Sequence, residues 1–159
     1  MSTLDLAEFN RGFDYLADTI WLACAIDGEG SIIMVGVGNP RSGTQKYTSY
    51  VSVTNTNCDF IEKAASIMGT KITPHQSTFP NSKECFVTIT GKQSKIKVIL
   101  ERVLPFLIIK EEHAKLVLEW VEIRRYCRSG CGILGGTRLK RETEIYNRLR
   151  ELNKKGRNY

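Results

Sequence analysis

From Phe13 to Asp27 the chain reads FDYLADTIWLACAID, with apolar residues at 15, 16, 20, 22, 23 and 26. This spacing predicts a helix that starts at Asp14 and is ended by Gly28 and Gly30. SIIMVGVGN (31–39) is β-branched and predicts a strand, and PRSGTQ (40–45) carries turn residues Pro40 and Gly43. KYTSYVSVT (46–54) alternates. Tyr47, Ser49, Val51 and Val53 share one face, with Lys46, Thr48, Tyr50 and Ser52 on the other, so an antiparallel hairpin follows. NCDFIEKAASIMG (57–69) predicts a second helix capped by Asn57 or Asp59 and closed by Gly69. KITPHQSTF and ECFVTIT predict a second strand pair. KQSKIKVILERVLPFL predicts a third helix stopped near Pro105, and KEEHAKLVLEWVEIRRYC a fourth. After the Gly-rich RSGCGILGG comes a basic helix, RLKRETEIYNRLRELNKKG. The predicted class is α+β: an α-β-β-α-β-β-α core (1–128) with a four-stranded antiparallel sheet. The loop and C-terminal helix (129–159) pack on that core or extend it.

Composition narrows the function. The 159 residues suit one domain, and 42% apolar content excludes bulk disorder. No apolar run approaches the roughly 20 residues of a membrane span, so no membrane partner is expected. The acidic N-terminal stretch has no basic start followed by an apolar run, so no signal peptide is expected. Five scattered cysteines (24, 58, 85, 127, 131), an odd number, point to free thiols inside a reducing compartment: cytoplasm or an organelle matrix. With no CxxC pair and two histidines, a structural zinc site is not expected, and Cys127 and Cys131 read as loop thiols. Net charge is +6, unevenly spread. Residues 1–40 hold one basic and six acidic residues, whereas 138–159 hold eight basic and three acidic. A basic body suits a polyanion.

The acids at the end of the first helix are out of place there. In LACAIDGEG (22–30), Asp27 and Glu29 sit where the helix dipole is already negative. A divalent cation would offset that repulsion, and hard carboxylate oxygens suit Mg²⁺. Small Ala23, Cys24 and Ala25 allow a second helix to approach closely. Read alone, DGEG favours an ordinary helix end with solvated acids. A dinucleotide-binding loop is excluded, because neither GEGSII nor GVGNPR completes GxGxxG between a strand and a helix.

LACAIDGEG resembles the signature of the LAGLIDADG homing endonucleases, and the order of elements after it is similar to that family's core. VSVTNTN (51–57) and LPFLIIKEEHAKLVLEWV (104–121) strengthen the resemblance, which spans roughly residues 14–125. It implies that Glu29 is the metal-binding catalytic acid, with the Gly28 carbonyl nearby and Asp27 mainly structural. Lys110 matches the family's active-site lysine, and Asn55 the polar residue that positions water. The pattern is departed from at Cys24, where Gly is usual, at Ala25, where a larger apolar residue is usual, and at Asp59, where some relatives are basic.

One motif supplies one acid, and cutting two strands needs two. The resemblance therefore implies a homodimer meeting through Leu22, Ala23, Cys24, Ala25 and Ile26. Its implied activity is Mg²⁺-assisted hydrolysis of both strands of a long, roughly palindromic duplex. DNA contacts are expected from the sheet: Lys46, Thr48, Tyr50 and Ser52, with Asn39 and Arg41 at the loop tip. Lys71, His75, Gln76, Lys83 and Thr88 are expected from the second hairpin. Arg138, Lys140, Arg141, Arg148 and Arg150 are expected on phosphates. An RNA-binding intron maturase, with intron RNA as partner, and a cleavage-inactive DNA-binding regulator stay open as alternatives. Glu29 and Lys110 together weigh against the regulator.

Overall fold

The computed structural model describes residues 3–38, 45–75, 83–126 and 135–155. Helix α1 (Thr3–Glu29) leads into β1 (Gly30–Val37) and β2 (Lys46–Asn55). Helix α2 (Cys58–Met68), β3 (Ile72–His75), β4 (Cys85–Thr90) and α3 (Gln93–Val103) follow. A single 3-10 turn, Leu104–Phe106, precedes α4 (Glu111–Tyr126), and α5 (Gly135–Lys155) comes last. The strands form one antiparallel sheet in the order β1-β2-β4-β3. The predicted order therefore holds.

The first helix is longer than the spacing predicts. It begins at Thr3 rather than Asp14, and Gly28 lies inside it. At 27 residues it is roughly 40 Å long. Gly30 makes the corner into β1. A Cβ there would lie 2.6 Å from Ile26 Cα and 3.0 Å from the Ser52 carbonyl oxygen, so the backbone approach requires glycine.

Helices cover one face of the sheet, and among the described residues the other face is open. Val51 and Val53 on β2 and Ile32 on β1 are buried against Leu22 and Ile26 of α1, Ile61 and Ala64 of α2, Ile96 and Leu100 of α3, and Val117 and Trp120 of α4. Helix α2 is placed by its ends. Asn57 Oδ1 accepts from the Phe60 N–H at 3.0 Å, worth about 1 kcal/mol, and Gly69 closes the helix at φ 61°. Helix α1 is latched to α3 by Arg102. Its Nε donates to Thr19 Oγ1 at 2.6 Å, and its guanidinium stacks on Tyr15 at 3.8 Å from the ring centre. Helix α5 docks through buried Ile145 and Leu149.

Candidate functional site

The last turn of α1 meets the chain just before α4. Asp27 turns its carboxylate toward that chain and accepts three backbone N–H bonds. Oδ2 takes Ile108 at 2.7 Å and Ile109 at 3.2 Å, and Oδ1 takes Lys110 at 2.8 Å. These donors stand at the N-terminus of α4, where the dipole favours an anion. The Lys110 side chain folds back so that Nζ donates to the Asp27 carbonyl oxygen at 2.5 Å. One residue thus caps α4 and fixes the lysine.

Glu29, two residues on, is exposed and enters no ion pair among the described residues. It lies close enough to Lys110 to act on its charge. Burial lowers the Lys110 pKa from the ordinary lysine value, and the carboxylates of Asp27 and then Glu29 pull the other way. The corner therefore holds a carboxylate facing solvent beside a half-buried ammonium. Gly28 is also exposed, and an added Cβ would meet nothing within 4 Å. Asn55 ends β2, and its Oδ1 accepts from the Asn57 N–H at 2.9 Å, so that oxygen shapes the turn into α2. No group of three or more His, Cys, Asp or Glu side chains gathers among the described residues. Among the described side chains Glu29 is the solvent-facing carboxylate at this corner, so a cation here would need further oxygens, such as a backbone carbonyl or groups from outside the protomer.

The open face of the sheet starts at this corner. Ser31, Ile33, Val35 and Val37 on β1 stand opposite Ser52, Tyr50, Thr48 and Lys46 on β2. These four β2 residues are on the less buried face, as the alternation predicts, while Tyr47, Ser49, Val51 and Val53 are buried. Tyr50 lies over Gly91, where a Cβ would come 2.7 Å from its ring. Lys46, Lys71, His75 and Lys83 are exposed, and the three lysines enter no ion pair among the described residues. Asn39, Arg41 and Gln76 lie outside the described residues, as do Cys127 and Cys131.

Three groups of expected residues stand differently. Thr88 is fully buried on the core face, bonded to Thr70 Oγ1 and the Lys71 carbonyl oxygen (3.2 Å), so it is not on the open face. Strand β4 inverts the usual polarity: Thr88 and Thr90 point inward, Val87 and Ile89 outward. Of the five motif residues expected at a dimer contact, Leu22, Ala23, Ala25 and Ile26 are buried within the protomer's own core. Only Cys24 is exposed. The outward stripe of α1 is instead Phe13, Ile20, Cys24 and Gly28. Phe13 is 63% exposed and Ile20 41%.

The arginines of α5 are the third group. Arg138 Nε reaches Glu142 at 3.1 Å, Arg141 reaches Glu119 at 2.7 Å and Glu144 at 2.9 Å, and Arg148 reaches Glu112 at 2.7 Å. Their charge is answered inside the chain, from α4 by Glu112 and Glu119 and from α5 itself by Glu142 and Glu144. Lys140 and Arg150 are exposed, and Arg150 lies over Tyr146.

The sequence reading missed the exposed apolar residues: Phe13 and Ile20 on α1, Val35, Val37 and Ile89 on the sheet, and Ile108 and Ile109 beside Asp27. Only the α1 pair left a usable signal, since Phe13 and Ile20 continue the Cys24–Gly28 stripe at helical spacing.

No protein-family model matches the chain, and none of the curated proteins matches it by sequence. Solved structures do match it. The homing endonuclease I-CvuI, in complex with its target in the presence of calcium, superposes with a TM-score of 0.69 at 18% identity, over 88% of this chain and 84% of that one. The archaeal intron-encoded I-Vdi141I, complexed with DNA, gives 0.67 at 19% identity, over 84% and 82%. The LAGLIDADG homing endonuclease I-GzeII, with its DNA target, gives 0.66 at 14% identity, over 80% of this chain but 43% of that one. The chain has the fold of the LAGLIDADG homing endonucleases.

Proposed function

We propose that this protein, built on the LAGLIDADG fold, is a site-specific DNA endonuclease that works as a symmetric homodimer and cuts both strands of a roughly palindromic duplex. The observation that carries the reading is the corner where Asp27 caps α4 and holds Lys110 beside the exposed Glu29. Each residue type has a task there. Glu29 offers hard oxygens to a divalent cation, for which Mg²⁺ is the proposed ion. Such a cation, when bound, would supply charge neutralisation at a phosphate and lower the pKa of bound water. The Lys110 ammonium faces charge that develops on the phosphate, and Asp27 keeps it there. A lone carboxylate makes a poor cation site by itself. It fits one shared with phosphate oxygens and a second protomer.

The outward stripe of α1 supports the dimer. Phe13 and Ile20 supply apolar area, and Cys24 and Gly28 let a second helix approach closely at the end that bears Glu29. An isologous pairing there brings two Glu29 side chains together, one for each DNA strand. I-GzeII, whose matched part is 43% of its chain, is roughly twice as long as this protein, so a symmetric pair of the present chain is similar in size. The sheet, with Lys46, Thr48, Tyr50 and Ser52 outward, is the surface for the major groove.

The test is a duplex library incubated with the protein and Mg²⁺, followed by sequencing of cut ends. A single recurrent site, lost on chelation and in Glu29→Gln while the variant still binds that site, supports the reading. Cleavage by Glu29→Gln at the wild-type rate overturns it. Tight binding to a structured intron RNA with no cutting of any duplex points to a maturase.

A further inference from the structure

The open face of a one-sided antiparallel sheet is ordinarily polar. Here it carries two apolar tracks. Val35 is 39% exposed, Val37 61% and Ile89 44%, with Ile33 and Val87 partly exposed on the same face. Toward the end of β4, beyond the inward Phe86, two threonines are buried while their apolar neighbours Val87 and Ile89 face out. Burying Thr88 required dedicated bonds to Thr70 and the Lys71 carbonyl oxygen. An accidental exposure of valine would not come with such compensation.

We propose that Ile33, Val35, Val37, Val87 and Ile89 read thymine C5-methyl groups in the major groove, so that the target is rich in A·T pairs at the steps they meet. This rests on the endonuclease reading. The thymine methyl is the one apolar feature of the major-groove edge, and apolar side chains are its natural partners. The register makes the readout two-part. Val35 stands opposite Thr48 and Val37 opposite Lys46, so each methyl contact is flanked by a hydrogen-bonding side chain for the same base step. Successive outward residues on a strand are roughly 6.8 Å apart. Base pairs rise about 3.4 Å, so the tracks meet roughly every second pair. The basic residues Lys46, Lys71 and Lys83 border the same face, which suits a nucleic acid over an apolar protein partner.

The experiment selects bound duplexes from a randomised pool, then replaces each thymine of the selected site by uracil, which removes only the methyl. The expected result is thymine preference at alternate steps, and about fourfold weaker binding for each methyl removed there. Val35→Thr and Val37→Thr should lose that sensitivity at their own positions while binding the uracil duplex as the unmodified protein does. Both positions are on the open face, so folding is not at stake. A site that is bound and cut specifically but is indifferent to every uracil overturns this inference and leaves the endonuclease reading intact. A change of oligomeric state in the Val variants would make the face a protein contact and overturn it too. Retention of no duplex at all removes the endonuclease reading and this inference with it.

Discussion

The corner at the end of α1 and the outer surface of α5 are both crowded with charge, and they use it in opposite ways. At the corner, Asp27 is consumed by three backbone N–H groups while Glu29, two residues later, has no partner among the described residues. On α5, Arg138, Arg141 and Arg148 each find a carboxylate within the chain. Counting charges makes α5 the obvious polyanion surface. Pairing them makes α5 largely a strut, bound to α4 across buried Glu142, and leaves Lys140 and Arg150 there together with the sheet lysines as cations turned outward. Charge available to a ligand is what remains after intramolecular pairing.

That contrast is exposed to measurement at several points. The largest effect is expected at Glu142, whose side chain is 2% exposed and lies 3.1 Å from both Arg124 and Arg138. Glu142→Ala leaves two arginines facing each other. It should cost about 2–3 kcal/mol, less than a fully buried pair because both arginines are partly hydrated. A thermal melt would record a fall of roughly 5–10 °C. Little change would mean that α5 is held by Ile145 and Leu149 alone.

Asp27 comes next. Asp27→Ala removes three charge-assisted bonds that water can partly replace, for an expected loss of about 1–2 kcal/mol in urea unfolding. Cleavage should slow as well, because the Lys110 backbone loses the carboxylate that holds it, while the residue 27 carbonyl that accepts from Nζ remains. Asp27→Asn keeps an acceptor oxygen and should recover much of both. Equal damage from the two would assign Asp27 a charge role rather than a positioning one.

Smaller still is the difference between two cations on DNA. Lys46→Ala should lower the salt dependence of binding by about one counterion, whereas Arg141→Ala, engaged by Glu119 and Glu144, should leave it unchanged. The reverse result would return α5 to the DNA. The smallest signal is the titration of Lys110. Burial lowers its pKa, so in the DNA-free protein its ammonium should lose its proton below the usual value of about 10.4, seen by side-chain NMR. The unfolded chain then binds more protons between the lowered value and about 10.4, so this lysine's contribution to stability rises with pH across that interval. A value at or above 10.4 would mean that the two carboxylates outweigh burial.

Much of the scaffold was legible in the sequence because its signals are local. Asn57 and Gly69 bracket α2 as cap chemistry requires, and the period of two in β2 assigned Lys46, Thr48, Tyr50 and Ser52 to one face. What failed was non-local. Thr88 looked outward because threonine is polar, and only its partners on the loop from α2 make it a core residue. Leu22, Ala23, Ala25 and Ile26 looked like a contact surface because small residues permit one, but they are buried in the protomer, and of the five only Cys24 faces out. Arg141 and Arg148 of α5 looked free because Glu119 and Glu112 lie on another helix, whereas Arg138 pairs with Glu142 one turn on in α5 itself. The motif singled out Asp27 and Glu29 and a second stretch Lys110, while the capping of α4 by Asp27 became visible only as hydrogen bonds.

The bonds from Asp27 to Ile108 and Lys110 span 81 and 83 residues of sequence. They close a loop that contains the whole sheet, so they are among the costly long-range contacts that slow folding. During synthesis, α1 and both hairpins emerge before the lysine they serve has been made. Glu29 and both hairpins are therefore synthesised before the lysine that stands beside Glu29, and the order of translation itself delays assembly of this corner until α4 has seated on its cap.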